Sequence, residues 1–519
     1  MELKVNRAAL TAAGASEQLM QEQSVELDYV LPDYYPDVCK LVKCIITPAI
    51  TAESIHGDRI SYELRADVRI LYCSEESHIL QCVTQTLQFS RSMELGMSGE
   101  GVTAELCPVT EHVVCRAVSR RRLEVHGTVN VRIRTQARQM QEVITGISGK
   151  NIQLRRIPVQ YPAKSIHRTC TVFLSEELEL GTAKPPVLHI VRCDAQPVEQ
   201  SHKIVSGKLL AQGELDIHLL YACQEEGDAR LEPMAFRIPY SQLIEMEELE
   251  EDDICHVRTT TAVCEIKPVT DANGDVRVLR CEAELRLACH AVRMSSESLV
   301  CDAFSTEHPS RCTTASLVLG NVPVPFSELH VSTVKLPCTD GAPDCVYDAW
   351  CEVKNLTAQT DAQEVQLTGM LCCFALIRQP DGMPRLLERE EPFEHRFAVP
   401  ELSAQDSVQA YACVHSCAYT LSGQEELTIK AEIRLEGEVC RSRSVTVLTE
   451  LDVDETTVHP RDYALKLYFG RSGEAVWDIA RRCHTSEAAI MEENELTEDV
   501  LTESGMLLIP IVHSSPQSH

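Results

Sequence analysis

Residues 60–73 read ISYELRADVRILYC, and their alternation decides the fold. Ile60, Tyr62, Leu64, Ala66, Val68, Ile70 and Tyr72 fall on one face of an extended chain, and Ser61, Glu63, Arg65, Asp67 and Arg69 on the other. A period of two over this length is a half-buried β-strand, apolar towards a core and charged towards water. The design returns in VSGKLLAQGELDIHLLY (205–221), where Leu209, Ala211, Leu215, Ile217, Leu219 and Tyr221 are in phase. It returns again in VQLTGMLCCFALI (365–377), where Met370, Phe374 and Leu376 make the second face apolar too. That third strand is expected to be covered on both sides.

A second strand type follows each of these by about fifty residues: RRLEVHGTVNVRIRT (121–135), VLRCEAELRLACHA (278–291) and ELTIKAEIRLEGEV (426–439). Their opposite faces carry Glu, Lys and Arg, as in sheets wetted on one side. Asn273-Gly274, Asp381-Gly382 and Ser422-Gly423 supply turn signals. A repeat of roughly 150 residues is far longer than the ~20–50 of solenoid units and points to whole-domain triplication. The expected order is an N-terminal extension (1–24), sandwich-like β domains at 25–140, 155–295 and 300–450, a small α+β domain at 460–512 and a disordered tail at 513–519. The acidic run EMEELEEDD (245–253) reads as a solvated loop of the second copy.

Composition narrows the function. A formal net charge of −30 argues against nucleic acid and against an anionic membrane surface. An apolar fraction of 44% is that of folded protein. The first thirty residues lack the apolar core of a signal peptide, and no uncharged run approaches the ~18–20 residues of a membrane span, so a cytoplasmic location is expected. Twenty-four cysteines include no CxxC pair; the closest spacings are Cys372-Cys373, Cys413/Cys417 and Cys39/Cys44. Zinc ribbons and thioredoxin-like sites are therefore poorly supported, and thiols such as Cys73, Cys281, Cys289 and Cys373 read as small apolar packing groups. There is no GxxxxGK[ST] loop, HExxH, GxSxG elbow or GxGxxG after a strand. His126 and His218 lie on polar strand faces. No catalytic residue, metal or cofactor is expected.

Residues 463–511, YALKLYFGRSGEAVWDIARRCHTSEAAIMEENELTEDVLTESGMLLIPI, form a strand–helix–helix–strand pattern. Gly473 opens the first helix with Glu474 in its first turn, and Val476, Ile479, Ala480 and Cys483 give it an apolar face. Thr485-Ser486 caps the second helix, and MLLIPI (506–511) closes the pair as a strand. Trp477 reads as a core residue. This segment resembles a LysM domain, a module associated with N-acetylglucosamine glycans such as peptidoglycan. The resemblance assigns the binding loops to Gly473, Glu474, Ala475 and Val476, with Asn494, and to Glu503, Ser504 and Gly505. Gly473-Glu474-Ala475-Val476-Trp477 stands where Gly-Asp-Thr-Leu-Trp is usual, and Glu503-Ser504-Gly505-Met506 replaces a Pro-Gly-Gln loop. Missing polar groups forfeit roughly 0.5–1.5 kcal/mol each, which favours a protein-docking surface over a sugar site.

ELDYVLPDYYPDVCKLVKC (26–44) contains two proline-led turns feeding a strand, with Tyr34 and Tyr35 expected to be buried. Together with the long strands and the LysM-like end, it resembles the SipL-type spore coat morphogenetic proteins, built from SPOCS domains and a C-terminal LysM. That resemblance implies a non-enzymatic scaffold in the mother-cell cytoplasm, tethering a coat basement layer built by a morphogenetic ATPase to the forespore surface. The second reading is a peptidoglycan-binding protein.

Overall fold

The computed structural model describes residues 3–75, 79–97, 101–149, 151–225, 228–270, 274–320, 322–338, 341–361, 363–403, 406–422, 426–454, 456 and 465–510. The expected tail, 513–519, and the turn residues Asn273 and Gly423 lie outside them. The protein is mainly β, and each alternating segment is the central strand of an antiparallel three-stranded sheet. In the first unit the opening stretch is β3 (Arg59–Ser74), between β2 (Val38–His56) and β4 (Leu80–Glu94). A second sheet places β6 (Arg122–Ser148) between β1 (Lys4–Val30) and β5 (Thr103–Ser119). Ile60, Leu64, Val68 and Ile70 from one sheet meet Leu123, Val125, Val129 and Ile133 from the other, all at 0–1% exposure, which makes a sandwich.

The order repeats. In the second unit β9 (Lys208–Glu225) lies between β8 (His189–Val205) and β10 (Asp228–Glu245), and β12 (Val276–Ser305) between β7 (Ile152–Glu179) and β11 (Ile254–Thr270). In the third, β16 (Glu364–Arg378) lies between β15 (Cys345–Thr360) and β17 (Pro384–Ala398), and β19 (Glu426–Arg441) between β14 (Val322–Pro337) and β18 (Ser407–Ser422). Here the long ribbon of first and last strands is broken, so β13 (Ser310–Val318) pairs separately with β20 (Ser444–Val453).

Residues 4–24, expected as an extension, belong to β1 and pair with β6 from Lys4 opposite Ser148 onwards. Ala, Gln and Glu dominate this stretch, so its alternation is faint and the ladder to β6 supplies its structure.

The crossover from β1 to β2 is the LPDYYPD segment. The Arg121 guanidinium donates to the carbonyls of Leu31 (3.2 Å), Pro32 (2.7 Å) and Tyr35 (3.3 Å) and to Asp37 Oδ1 (2.5 Å). Tyr72 Oη donates to Pro36 O at 3.0 Å. The second unit repeats the clamp with Arg277 on Lys184 O and Tyr221 Oη on Pro185 O. Tyr35 packs against the first core, but Tyr34 is 79% exposed, against the expectation of burial. The turn closed by Tyr35 N–H on Pro32 O throws Asp33 and Tyr34 to its outer corner.

β2, β8 and β15 carry the same bulge, skipping a residue at Val42, Val191 and Tyr347. A bulge re-aims the side chain it frees. Here it turns all three residues into one cluster with Leu71, Leu220, Leu376, Trp350 and Phe374, where the units meet. Phe374 and Leu376 make β16 covered on both faces, as its sequence implies. Ion pairs close the ring: Arg69–Asp194 (3.3 Å) joins units one and two, Arg192–Asp348 (2.5 Å) two and three, and Lys43–Glu388 (2.5 Å) three and one. A second apolar cluster, including Leu10, Val143, Leu299, Leu317 and Val447, ties the long ribbons together.

Candidate functional site

The C-terminal module is built from β21 (Leu465–Gly470), α1 (Val476–Cys483), α2 (Glu487–Glu493) and β22 (Gly505–Pro510), with the two strands antiparallel. Val476, Trp477, Ile479, Ala480 and Cys483 bury one face of α1 against Ile490, Leu501, Leu507 and Ile509. Ser486 caps α2 by accepting from Ala489 N–H at 3.2 Å. The first helix begins later than its sequence suggests: Ala475 is the N-cap, so Glu474 precedes the helix and Asp478 is the acid of its first turn.

The sequence-predicted loops do come together. Ala475 bridges Val500, Gly473 N–H donates to Leu501 O (2.7 Å), and Leu501 N–H donates to Glu474 O (3.0 Å). Gly473 takes φ +83°, which favours glycine. Several of these residues are already committed, however. Glu474 accepts from Tyr468 Oη (2.8 Å), Arg471 N–H (3.2 Å) and Arg482; burial opposes its ionisation, but these partners hold its carboxyl below the usual range. Val476 is fully buried. Asn494 ties the end of α2 to β22, donating to Ile490 O and Leu508 O and accepting from Leu508 N–H at 2.7 Å. Ser504 Oγ accepts from Ser472 N–H at 2.9 Å. Glu503 stays exposed, and Gly505 pairs with Gly470 at the end of the hairpin.

Sequence reasoning missed the most exposed apolar surface of the module. Leu465 (49%), Leu467 (64%), Phe469 (61%), Met506 (59%) and Leu508 (38%) share the outer face of the hairpin, with Leu467 opposite Leu508 and Phe469 opposite Met506. The available signal was an inverted alternation in LKLYFG, whose most apolar face points away from the helices.

Trp477 is a core residue, as expected, and also an anchor. Its Nε1–H donates to Asp302 Oδ2 (2.8 Å) on β12, its ring meets Phe304 edge-on at 4.8 Å, and Arg481 pairs with the same Asp302. The module is thereby fastened to the second unit.

A chamber of about 670 Å³ lies between the three units. Along β2, Val42 joins the first apolar cluster and Ile50 lines the chamber; along β6, Arg134 lines it and Val143 joins the second cluster. Its walls mix apolar groups such as Ile50, Ile55 and Leu106 with charged ones, and several of the charges are spent on one another. Arg258 stacks on Tyr411 at 3.8 Å and pairs with Glu105, which also accepts from Tyr411 Oη, so each unit contributes to one knot. Arg286 pairs with Glu53. His167 and His290 stack at 4.1 Å, and burial pushes them down to about 4 and about 3. Ser165 Oγ lies 2.9 Å from His290 Nε2 and 3.1 Å from His167 Nε2. The Arg258–Tyr411–Glu105 knot makes this region a joint between the units.

Glu438 is the exception. Burial, reinforced by Glu105, raises it from 4.5 to about 7, and His256 Nδ1 is 3.8 Å away. Between those values the folded state holds a proton that the unfolded state has lost, so stability falls as pH rises from 4.5 to 7. Glu438→Gln is expected to flatten that slope and to stabilise the protein at pH 8 by roughly 2–3 kcal/mol, read from urea denaturation across the range.

A family model described as the SipL SPOCS domain matches residues 186–269. That segment takes in β8 to β10 and nearly all of β11, the first sheet and one edge of the second in the central unit. In this segment the chain is similar to a domain of sporulation proteins. No curated protein and no solved structure matches the chain.

Proposed function

We propose that this protein is a non-enzymatic scaffold of endospore coat assembly, acting in the mother-cell cytoplasm at the forespore surface. The ring of three sandwiches is a rigid SPOCS-type body, and its LysM-like module docks onto the basement-layer morphogenetic ATPase. The observation that carries this reading is the hairpin face of Leu465, Leu467, Phe469, Met506 and Leu508, apolar and exposed on a chain of net charge −30. Contiguous exposed apolar groups on an otherwise charged surface mark partner contacts. The loops that a glycan site would use are engaged in holding the module together, which favours protein over sugar.

Titrating the full chain against the ATPase and against peptidoglycan fragments tests the reading. Leu467→Asp with Phe469→Asp is expected to weaken ATPase binding by about 100-fold or more, as loss of central contacts does. Neither change touches the core face of the hairpin, so the fold should persist. Saturable peptidoglycan binding with no ATPase affinity would reverse the assignment.

A further inference from the structure

Each sandwich is open along one seam, where the first strand of one sheet (β2, β8, β15) lies beside the edge strand of the other (β5, β11, β18) without a ladder between them. In the first two units a threonine hydroxyl bridges it: Thr110 Oγ1 donates to Ile46 O (2.8 Å) and Thr261 Oγ1 to Ala195 O (3.2 Å). Both threonines directly precede a bulge that β5, β11 and β18 share, at Glu111, Ala262 and His415. The third unit has Val414 at that position and no hydroxyl to offer.

Cysteines face each other across all three seams. Cys44 on β2 and Cys115 on β5 stand together against the first core, as do Cys193 on β8 and Cys264 on β11 against the second, where Cys264 also neighbours Cys281. Cys351 on β15 and Cys417 on β18 have their sulfurs 3.7 Å apart. Placement is shared as well as pairing. Cys44 and Cys193 both stand two residues past the bulge of their strand, and Cys264 and Cys417 two past the other. One pair falls on the same unladdered seam each time, although Cys264 and Cys351 each also have a cross-strand thiol neighbour, Cys281 and Cys373.

We propose that these three seams are modification sites, oxidised by a peroxide to the disulfides Cys44–Cys115, Cys193–Cys264 and Cys351–Cys417. In each, one thiolate attacks a peroxide oxygen to give a sulfenic acid and releases hydroxide. The facing thiol then displaces water from that sulfur. The sum is two thiols and one hydrogen peroxide giving one disulfide and two waters. Cys115 and Cys417 are suited to react first, since the facing thiol holds each below the ordinary thiol range. Five of the six thiols are only partly buried, which leaves the seams within reach of a small oxidant; Cys351 is the buried one. Each bond would join two sheets of one sandwich covalently, beside the hydroxyl bridge of Thr110 or Thr261 and, in the third unit, near the position where Val414 offers none. The oxidised chain would be a stiffer scaffold with unchanged topology.

The test is to treat the native full-length chain with hydrogen peroxide, block remaining thiols by alkylation and map linked peptides by mass spectrometry without reduction. Three seam links are expected. Cys115→Ser, Cys264→Ser and Cys417→Ser should each delete one link and leave the other two. Oxidation should raise the thermal midpoint by about 5 °C or more, reversed by dithiothreitol. It should also slow amide exchange at least tenfold in the seam strands. Thiols that all remain open to alkylation after peroxide would overturn the proposal. So would Cys351 joined to Cys373, its cross-strand neighbour at 3.4 Å, in place of Cys417.

Discussion

Replacing Trp477 with alanine is expected to unfold the C-terminal module and release it from the second sandwich, while the three sandwiches stay folded. Trp477 is 2% exposed at the centre of a core shared with Val476, Ile479, Ile490 and Leu501. Truncating a buried tryptophan costs roughly 3–5 kcal/mol, and the lost bond to the Asp302 carboxylate adds about 1.5–3 kcal/mol. A module described over residues 465–510 has little stability to spare against such a loss. The measurement is hydrogen exchange on the full chain. Amides of α1, α2 and β22 should exchange at unfolded rates, with β3, β9 and β16 as protected as before. Asp302→Ala separates folding from docking: it leaves the contacts among Val476, Ile479, Ile490 and Leu501 intact, so α1 should keep its protection while the end of β12 around Phe304 exchanges faster. Unchanged protection in the tryptophan variant would show that the module core does not depend on this side chain.

Strands were legible where one face is wholly buried. β3, β9, β6, β12 and β19 are central in their sheets, and their inward positions are apolar almost without exception. Edge strands are harder to read. In β4 only Leu80 and Val83 are buried, so its sequence carries no clear period. The first part of β1, residues 4–24, reads as an extension for the same reason, since its partner supplies what its own residues do not. The helices of the module announced themselves through Val476, Ile479, Ala480 and Cys483, but Glu474, which looks like a first-turn acid, is drawn aside to Tyr468, Arg471 and Arg482. Contacts between units left no local trace. A bulge at Val42 or Val191 interrupts a pattern without saying what the freed side chain will meet. The outward hairpin face was equally hidden, because an apolar alternation does not state which side is wet.

The ring itself makes the second large prediction: Arg192→Ala is expected to cost about 3–5 kcal/mol, the range for breaking a buried ion pair by removing one partner. Arg192 is 8% exposed at the meeting of units two and three. Its guanidinium pairs with Asp194 and with Asp348 (2.5 Å) and lies 3.8 Å over the Trp350 ring. Asp194 keeps Arg69 as a partner, so the burden falls on Asp348. Burial already raises the Asp348 carboxyl above 3.8, and Arg192 is what opposes that rise. Without the arginine the folded-state value climbs further, and the folded protein binds a proton that the unfolded chain releases. The deficit should therefore grow as pH rises above about 4 and shrink as pH falls towards it, the sign required for an acid whose folded-state value is raised. Urea denaturation at pH 4.5 and pH 7.5 measures the difference. Arg192→Met, which fills the space over Trp350 without the charge, should leave the same pH dependence. Adding Asp348→Asn should abolish it in both backgrounds. Equal deficits at the two pH values would mean that the arginine acts through packing on Trp350 alone, and that the ring is held by its apolar cluster rather than by its ion pairs.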